Sequence, residues 1–172
     1  YRHMPDQDSL RTFQVAGNHD LYFDGWQFFY QYFGSTTYYF TIHTPTSSDI
    51  FICLDTGSGT LGNAQLEWLK KILHEKRPNH RNATIVTHNN LFRIRHASST
   101  NPFVEEIRVL TELCIKFQVD MVITGHDHKS SVVKHGNTTH ITLDALTNNY
   151  KNPSFFVLMV DHGEINFEFN EI

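Results

Sequence analysis

Cysteine is scarce in this chain, with two among 172 residues, and no apolar stretch approaches the roughly 18 residues a bilayer-crossing helix requires. Two cysteines cannot frame a small disulfide-held fold. Cys53 falls in an apolar strand-like run and Cys114 on the apolar stripe of a helix, so both read as small buried hydrophobes. Basic excess is missing too: a formal charge of −4 offers nothing to displace phosphate counterions, so no nucleic-acid scaffold role is expected. The local run of Lys70, Lys71, Lys76, Arg77 and Arg81 sits on and after an amphipathic helix and is expected to be its solvated face. No repeat, low-complexity tract or linker divides the chain, and residues 1–172 are expected to form a single domain.

Aromatic residues, by contrast, are plentiful. Trp26, Phe28, Phe29, Tyr30, Tyr32 and Phe33 crowd together, and the general preference of aromatics for burial predicts a helix packed into the core. A substrate-stacking surface is the lesser alternative. Asn82-Ala83-Thr84 and Asn137-Thr138-Thr139 match the glycosylation acceptor pattern, which is short and often accidental.

The order of elements alternates. Phe13–Ala16 reads as a strand stopped by Gly17, and 24–33 as a helix with Asp24 as a possible N-cap and Gly34 as its end. Two strands, 37–43 and 50–54, follow across a polar turn. Leu66, Leu69, Ile72 and Leu73 recur at helical spacing within 63–76. A strand at 83–87 ends at His88. Asn101-Pro102 opens a helix whose buried stripe contains Ile107, Leu110 and Cys114, and a strand at 119–124 ends at Gly125. Four further strands (131–135, 138–143, 155–161 and 164–169) are joined by turns at Gly136-Asn137 and His162-Gly163.

Chemistry-bearing residues gather where strands end. Gly17-Asn18-His19-Asp20, Thr87-His88-Asn89-Asn90 and Gly125-His126-Asp127-His128 each follow an apolar strand, the position at which α/β folds build sites. With twelve histidines in the chain, random placement alone supplies about 0.8 His-x-His pairs, so the pair at 126 and 128 gains weight only from its strand and glycine context. Imidazole nitrogens with an amide oxygen suit zinc, manganese or iron.

Those three motifs, in that order, resemble the calcineurin-like metallophosphoesterase superfamily, which includes purple acid phosphatases and many bacterial phosphodiesterases. Asp55-Thr56-Gly57 followed by Gln65-Leu66-Glu67-Trp68-Leu69 is similar to that family's link between a core strand and a helix. The resemblance covers nearly all of the chain. It implies an α/β fold, the later portion of a four-layer α/β/β/α sandwich, and metal-dependent hydrolysis of a phosphomonoester or phosphodiester. It also implies that Asn18, His88 and His126 hold one metal and His128 the other, that His19 lies beside the scissile phosphate, and that Asp20 orients His19 or its loop. Arg93, Arg95 and His96 follow the His88 strand on a polar stretch and are candidates for phosphate contact.

The family's pattern also requires Asp-x-His and Gly-Asp-x-x-Asp. Neither occurs: the chain has no Gly-Asp dipeptide at all, and Asp6 and Asp8 lack the required context. The expectation is therefore the carboxyl-terminal part of a longer metallophosphoesterase domain, active with two divalent or trivalent ions (Zn, Mn or Fe) in its full-length form. This chain by itself is expected to bind one ion or none and to be inactive. The alternative is a non-catalytic metallophosphoesterase-like scaffold or a single-metal binding module.

Overall fold

The computed structural model describes residues 11–90, 104–146 and 153–172, and its centre is one six-stranded mixed sheet. The strands are β1 (Tyr38–His43), β2 (Ser48–Cys53), β3 (Asn82–Val86), β4 (Met121–Thr124), β5 (Ser131–His135) and β6 (Thr138–Thr142), in the spatial order β1-β2-β3-β4-β6-β5. β2, β3, β4 and β6 run parallel, while β1 and β5 pair antiparallel at the two edges. A separate antiparallel hairpin, β7 (Ser154–Asp161) and β8 (Glu164–Glu171), turns at His162 and Gly163. Both carry positive φ, 47° and 99°, as a two-residue turn matched to strand twist requires.

Parallel strands are covered on both faces, and here the two covers differ in kind. On one face α3 (Gly62–Glu75) and α4 (Val104–Lys116) lay Leu69, Leu73, Leu110 and Cys114 against Ile50, Ile52, Ala83 and Val122. On the other, Met121, Ile123 and Ile141 meet Phe156, Leu158, Phe167 and Phe169 of the hairpin. Alternation along β4 explains the division: Val122 points to the helices, while Met121 and Ile123 point to the hairpin. The result is a mixed α/β fold, helices against a sheet with strands behind it, as expected from the sequence.

Cys53 and Cys114 are buried free thiols, and burial pushes the Cys114 thiol up to about 12. Among the described residues no helix is long and apolar enough to cross a membrane. Asn82 is buried within β3, whereas Asn137 is exposed at the β5–β6 turn.

Three expectations are corrected. Phe13–Ala16 is not a strand: among the described residues it joins no ladder, Tyr38 Oη donates to the Gln14 carbonyl at 2.7 Å, and Phe13 stacks on Phe40. The aromatic helix, α2 (Gly25–Phe33), does form but is not core. Only Phe29 is buried; Trp26, Phe28, Tyr30, Tyr32 and Phe33 stay exposed. Asp24 precedes α2 in left-handed backbone (φ 61°) and makes no side-chain cap. The basic run is likewise not all solvated. Arg81 forks onto the buried Asp49 carboxylate at 2.7 and 3.1 Å, and Arg77 donates to the carbonyls of Gln118 and His80 and to Asp120. Asn101-Pro102, the start expected for α4, lies outside the described residues.

Candidate metal centre

Parallel β3 and β4 deliver their carboxyl ends side by side, and the main chain continues the pairing past both strands. Thr87 N–H donates to the Ile123 carbonyl and Gly125 N–H to the His88 carbonyl, each at 2.9 Å. His88 and the loop beginning at Gly125 are thus fixed relative to each other before any side chain is considered. Residues on either side of His88 anchor it further. Thr87 and Asn89 are buried: the Thr87 and Thr56 hydroxyls lie 2.7 Å apart, Asn89 N–H donates to Thr56 Oγ1 at 2.9 Å, and Asn89 Nδ2 donates to the Thr56 carbonyl at 2.6 Å. The Thr56 loop is itself held by α3, where Gln65 accepts from Asp55 N–H and donates to the Asp55 carbonyl. This gives the Asp55-Thr56-Gly57 and Gln65 pattern a physical role as the bracket behind His88.

Two glycines let the third loop close on this bracket. A Cβ on Gly17 would lie 3.0 Å from the His88 imidazole, and one on Gly57 would lie 2.9 Å from the Gly17 carbonyl. A side chain at either position would push against the His88 ring or the Gly17 carbonyl. Asn18 then begins α1 (Asn18–Leu21), and Gly17 N–H donates to Asp20 Oδ2 at 2.8 Å, which ties the turn shut.

The convergence that follows is tight. His88 Nε2 lies 2.8 Å from Asn18 Oδ1 and 2.8 Å from His126 Nδ1, with the two imidazoles edge to face at 4.7 Å between centroids. His126 is held in left-handed backbone (φ 69°) as the middle residue of a three-residue turn closed by Asp127 N–H to the Gly125 carbonyl at 2.8 Å. Such turns are rare and strained, and strain of this sort concentrates at functional sites. Asn90 Nδ2 donates to Asp127 Oδ2 at 2.8 Å and joins the two loops a second time.

Asn18, His88 and His126 are therefore brought together. His128 (φ 53°) is exposed two residues farther along the same loop, and His19 and Asp20 are exposed beside Asn18. Arg93, Arg95 and His96 lie outside the described residues, as do Asp6 and Asp8. The sequence motifs contain Thr56 and Asn89 without giving either a role, and they leave out Tyr22. The polar run Thr87-His88-Asn89-Asn90 after an apolar strand was a signal for Asn89; Tyr22 gave none beyond its aromatic neighbours.

The donor set suits a cation. Asn18 Oδ1 and His126 Nδ1 each lie 2.8 Å from His88 Nε2, and a neutral imidazole carries one N–H over its two nitrogens, so each ring keeps a lone pair to offer. Among the described residues there is no cluster of three or more His, Cys, Asp or Glu side chains, so the set is two imidazoles and one amide oxygen.

The calcineurin-like phosphoesterase family model matches residues 2–130, three quarters of the chain and all three strand-end motifs. The chain belongs to the calcineurin-like phosphoesterase family. Among solved structures it is similar to the purple acid phosphatase PPD1 from yellow lupin (Lupinus luteus) seeds, at 15% identity and a TM-score of 0.56 over 79% of this chain and 30% of that one. It is also similar to GAP50, the anchor in the inner membrane complex of Plasmodium, at 18% identity and a TM-score of 0.51 over 63% of this chain and 37% of that one. At these identities the likeness is one of fold, and the chain spans about a third of either relative. No curated protein is significantly similar to it in sequence. Calcineurin-like phosphoesterases are metal-dependent, which is in keeping with the chemistry of the Asn18, His88 and His126 atoms.

Proposed function

We propose that residues 1–172 are the later part of one metallophosphoesterase domain, and that the protein containing this chain hydrolyses a phosphomonoester or phosphodiester. The observation that most supports this reading is the approach of Asn18 Oδ1 and His126 Nδ1 to His88 Nε2, each at 2.8 Å, from loops 38 to 108 residues apart. In this reading Asn18, His88 and His126 hold one ion and His128 serves the other. When bound, two such ions (zinc, manganese or iron) neutralise charge on a phosphoryl group and ionise a water near neutral pH.

The chain's own residues divide the remaining work. Bracketing by Thr56 and Asn89 fixes the main chain that carries His88, and the ring itself rests against Asn18 and His126, so little reorganisation accompanies binding. His19, exposed beside Asn18, holds a proton on its imidazole for the leaving oxygen or places positive charge against the phosphoryl oxygens. Asp20 fixes the turn that presents His19, through its bond from Gly17 N–H. Arg93, Arg95 and His96 are proposed phosphate contacts on residue type alone.

Without Gly-Asp-x-x-Asp no carboxylate bridges two ions, so this chain alone is expected to show little or no turnover. Hydrolysis of a chromogenic phosphodiester tests both statements. In the full-length protein, His88→Ala or His126→Ala should lower turnover by at least about 100-fold. Unchanged activity removes the reading, and robust hydrolysis by the 172-residue chain removes its second half.

A second reading, a non-catalytic scaffold or single-metal module of the same fold, is favoured by the absence of both carboxylate motifs from the chain. GAP50, described as an anchor, shares the fold. Stoichiometric zinc in the full-length protein, with no phosphate affinity and no turnover, would decide for it.

A further inference from the structure

An amide ligand has two ends, and only its oxygen can serve a cation. Asn18 is buried, so its NH₂ group needs a partner within the protein if the oxygen is to face the histidines. That partner is the phenol of Tyr22, one helical turn later: Asn18 Nδ2 donates to Tyr22 Oη at 3.0 Å while Oδ1 stands 2.8 Å from His88 Nε2. The same ring lies against the His19 imidazole, 5.1 Å between centroids. One side chain thus touches both chemistry-bearing residues of the Gly17–Asp20 motif.

The backbone supports this placement. Tyr22 leaves the helical conformation at φ −67° and ψ 150°, and Phe23 and Asp24 follow in left-handed backbone at φ 53° and 61°. Left-handed backbone is disfavoured for a side chain as bulky as Phe23, though Asp tolerates it, and the two residues keep the helix from continuing past its Tyr22 cap. Gly25 completes the reversal, since a Cβ there would stand 2.3 Å from the Asp20 carbonyl oxygen. The chain folds back sharply behind the phenol, and the ring stays over Asn18.

We infer that Tyr22 is a positioning residue, whose hydroxyl holds the Asn18 amide with its oxygen toward His88 and His126 and whose ring steadies His19. This rests on the reading of Asn18 as a metal ligand, and the test separates the two. Tyr22→Phe keeps the ring and removes the hydroxyl. Zinc affinity of the chain, measured by calorimetry, should fall about tenfold, with urea unfolding unchanged enough to show an intact fold. Asn18→Asp supplies two equivalent oxygens, so in that background Tyr22→Phe should cost less than about twofold. An equal loss in both backgrounds, or no loss in either, overturns the positioning role.

A metal-free readout covers the case in which the wild-type chain binds no zinc. Imidazole ¹⁵N resonances of His88 should move on Tyr22→Phe, because the amide oxygen is no longer held against Nε2. If they move, the positioning role stands whether or not the chain binds zinc; if they do not move, the positioning role fails.

Discussion

The two faces of the central sheet are finished to different degrees. On the helix side Ile50, Ile52, Leu69, Leu73 and Val122 are fully buried, and the amphipathic stripes of α3 and α4 meet a continuous apolar layer. On the hairpin side Met121, Ile123 and Ile141 are covered, but their partners Phe156, Leu158, Ile165, Phe167 and Phe169 remain partly exposed. A two-stranded ribbon has little stability of its own, so β7 and β8 draw on the sheet more than they support it. The bracing of the candidate metal loops comes from the better-packed side: Thr56 and Gln65, behind His88, belong to the connection into α3. The bracket behind His88 and the larger apolar core therefore lie on the same side of the sheet.

The contrast is broken most directly by truncating each face in turn. Leu73→Ala should cost about 2–5 kcal/mol of unfolding free energy, while Phe167→Ala, already partly in water, should cost roughly 1–2 kcal/mol. Urea denaturation measures both, and equal losses would mean that the faces are energetically alike. Next in size is the bracket behind His88. Thr56→Val removes the acceptor for Asn89 N–H and the Thr87 contact, for a loss of about 1–3 kcal/mol, together with faster hydrogen exchange at the Asn89 amide.

Acid gives a smaller effect. Burial, with His135 adjacent as a second cause, lowers the His140 imidazole from 6.5 to about 4. The unfolded chain therefore takes up a proton first as pH falls. His140 contributes its full stabilisation above about pH 6.5, loses it progressively down to about pH 4, and adds no further loss below that. Solvent screening limits the change to the order of 1–2 kcal/mol. A thermal melt series across that window should show the slope, and His140→Gln should flatten it. Smallest is Trp26→Ala on α2: with its ring more than half exposed, stability should shift by less than about 0.5 kcal/mol. A larger loss would return the aromatic helix to the core.

Much of the fold was readable because periodicity reports local geometry. The 3.6-residue spacing of Leu66, Leu69 and Leu73 marks α3, and the turn residues His162 and Gly163 mark the β7–β8 hairpin. The aromatic helix was misjudged for the opposite reason. Burial of Trp26 or Tyr30 requires a facing surface, and no pattern within the helix says whether one exists. Phe13–Ala16 has strand propensity, but a strand also needs a neighbour with free backbone groups. At the site, residue types and strand ends were legible in Asn18, His88 and His126. The hydroxyl and amide contacts of Thr56, Asn89 and Tyr22 arise from folding across 4 to 33 residues and leave little mark on the sequence.

The parallel register of β2, β3 and β4 imposes parity on the chain's evolution. Each residue advances a strand by about 3.3 Å and reverses the side on which its neighbour points. One residue gained or lost inside β3 would swing His88 from the cluster to the opposite side of the sheet. Length variation among descendants of this sequence should therefore accumulate beyond Asn90 and beyond His128, while the strands and turns ahead of them keep their count.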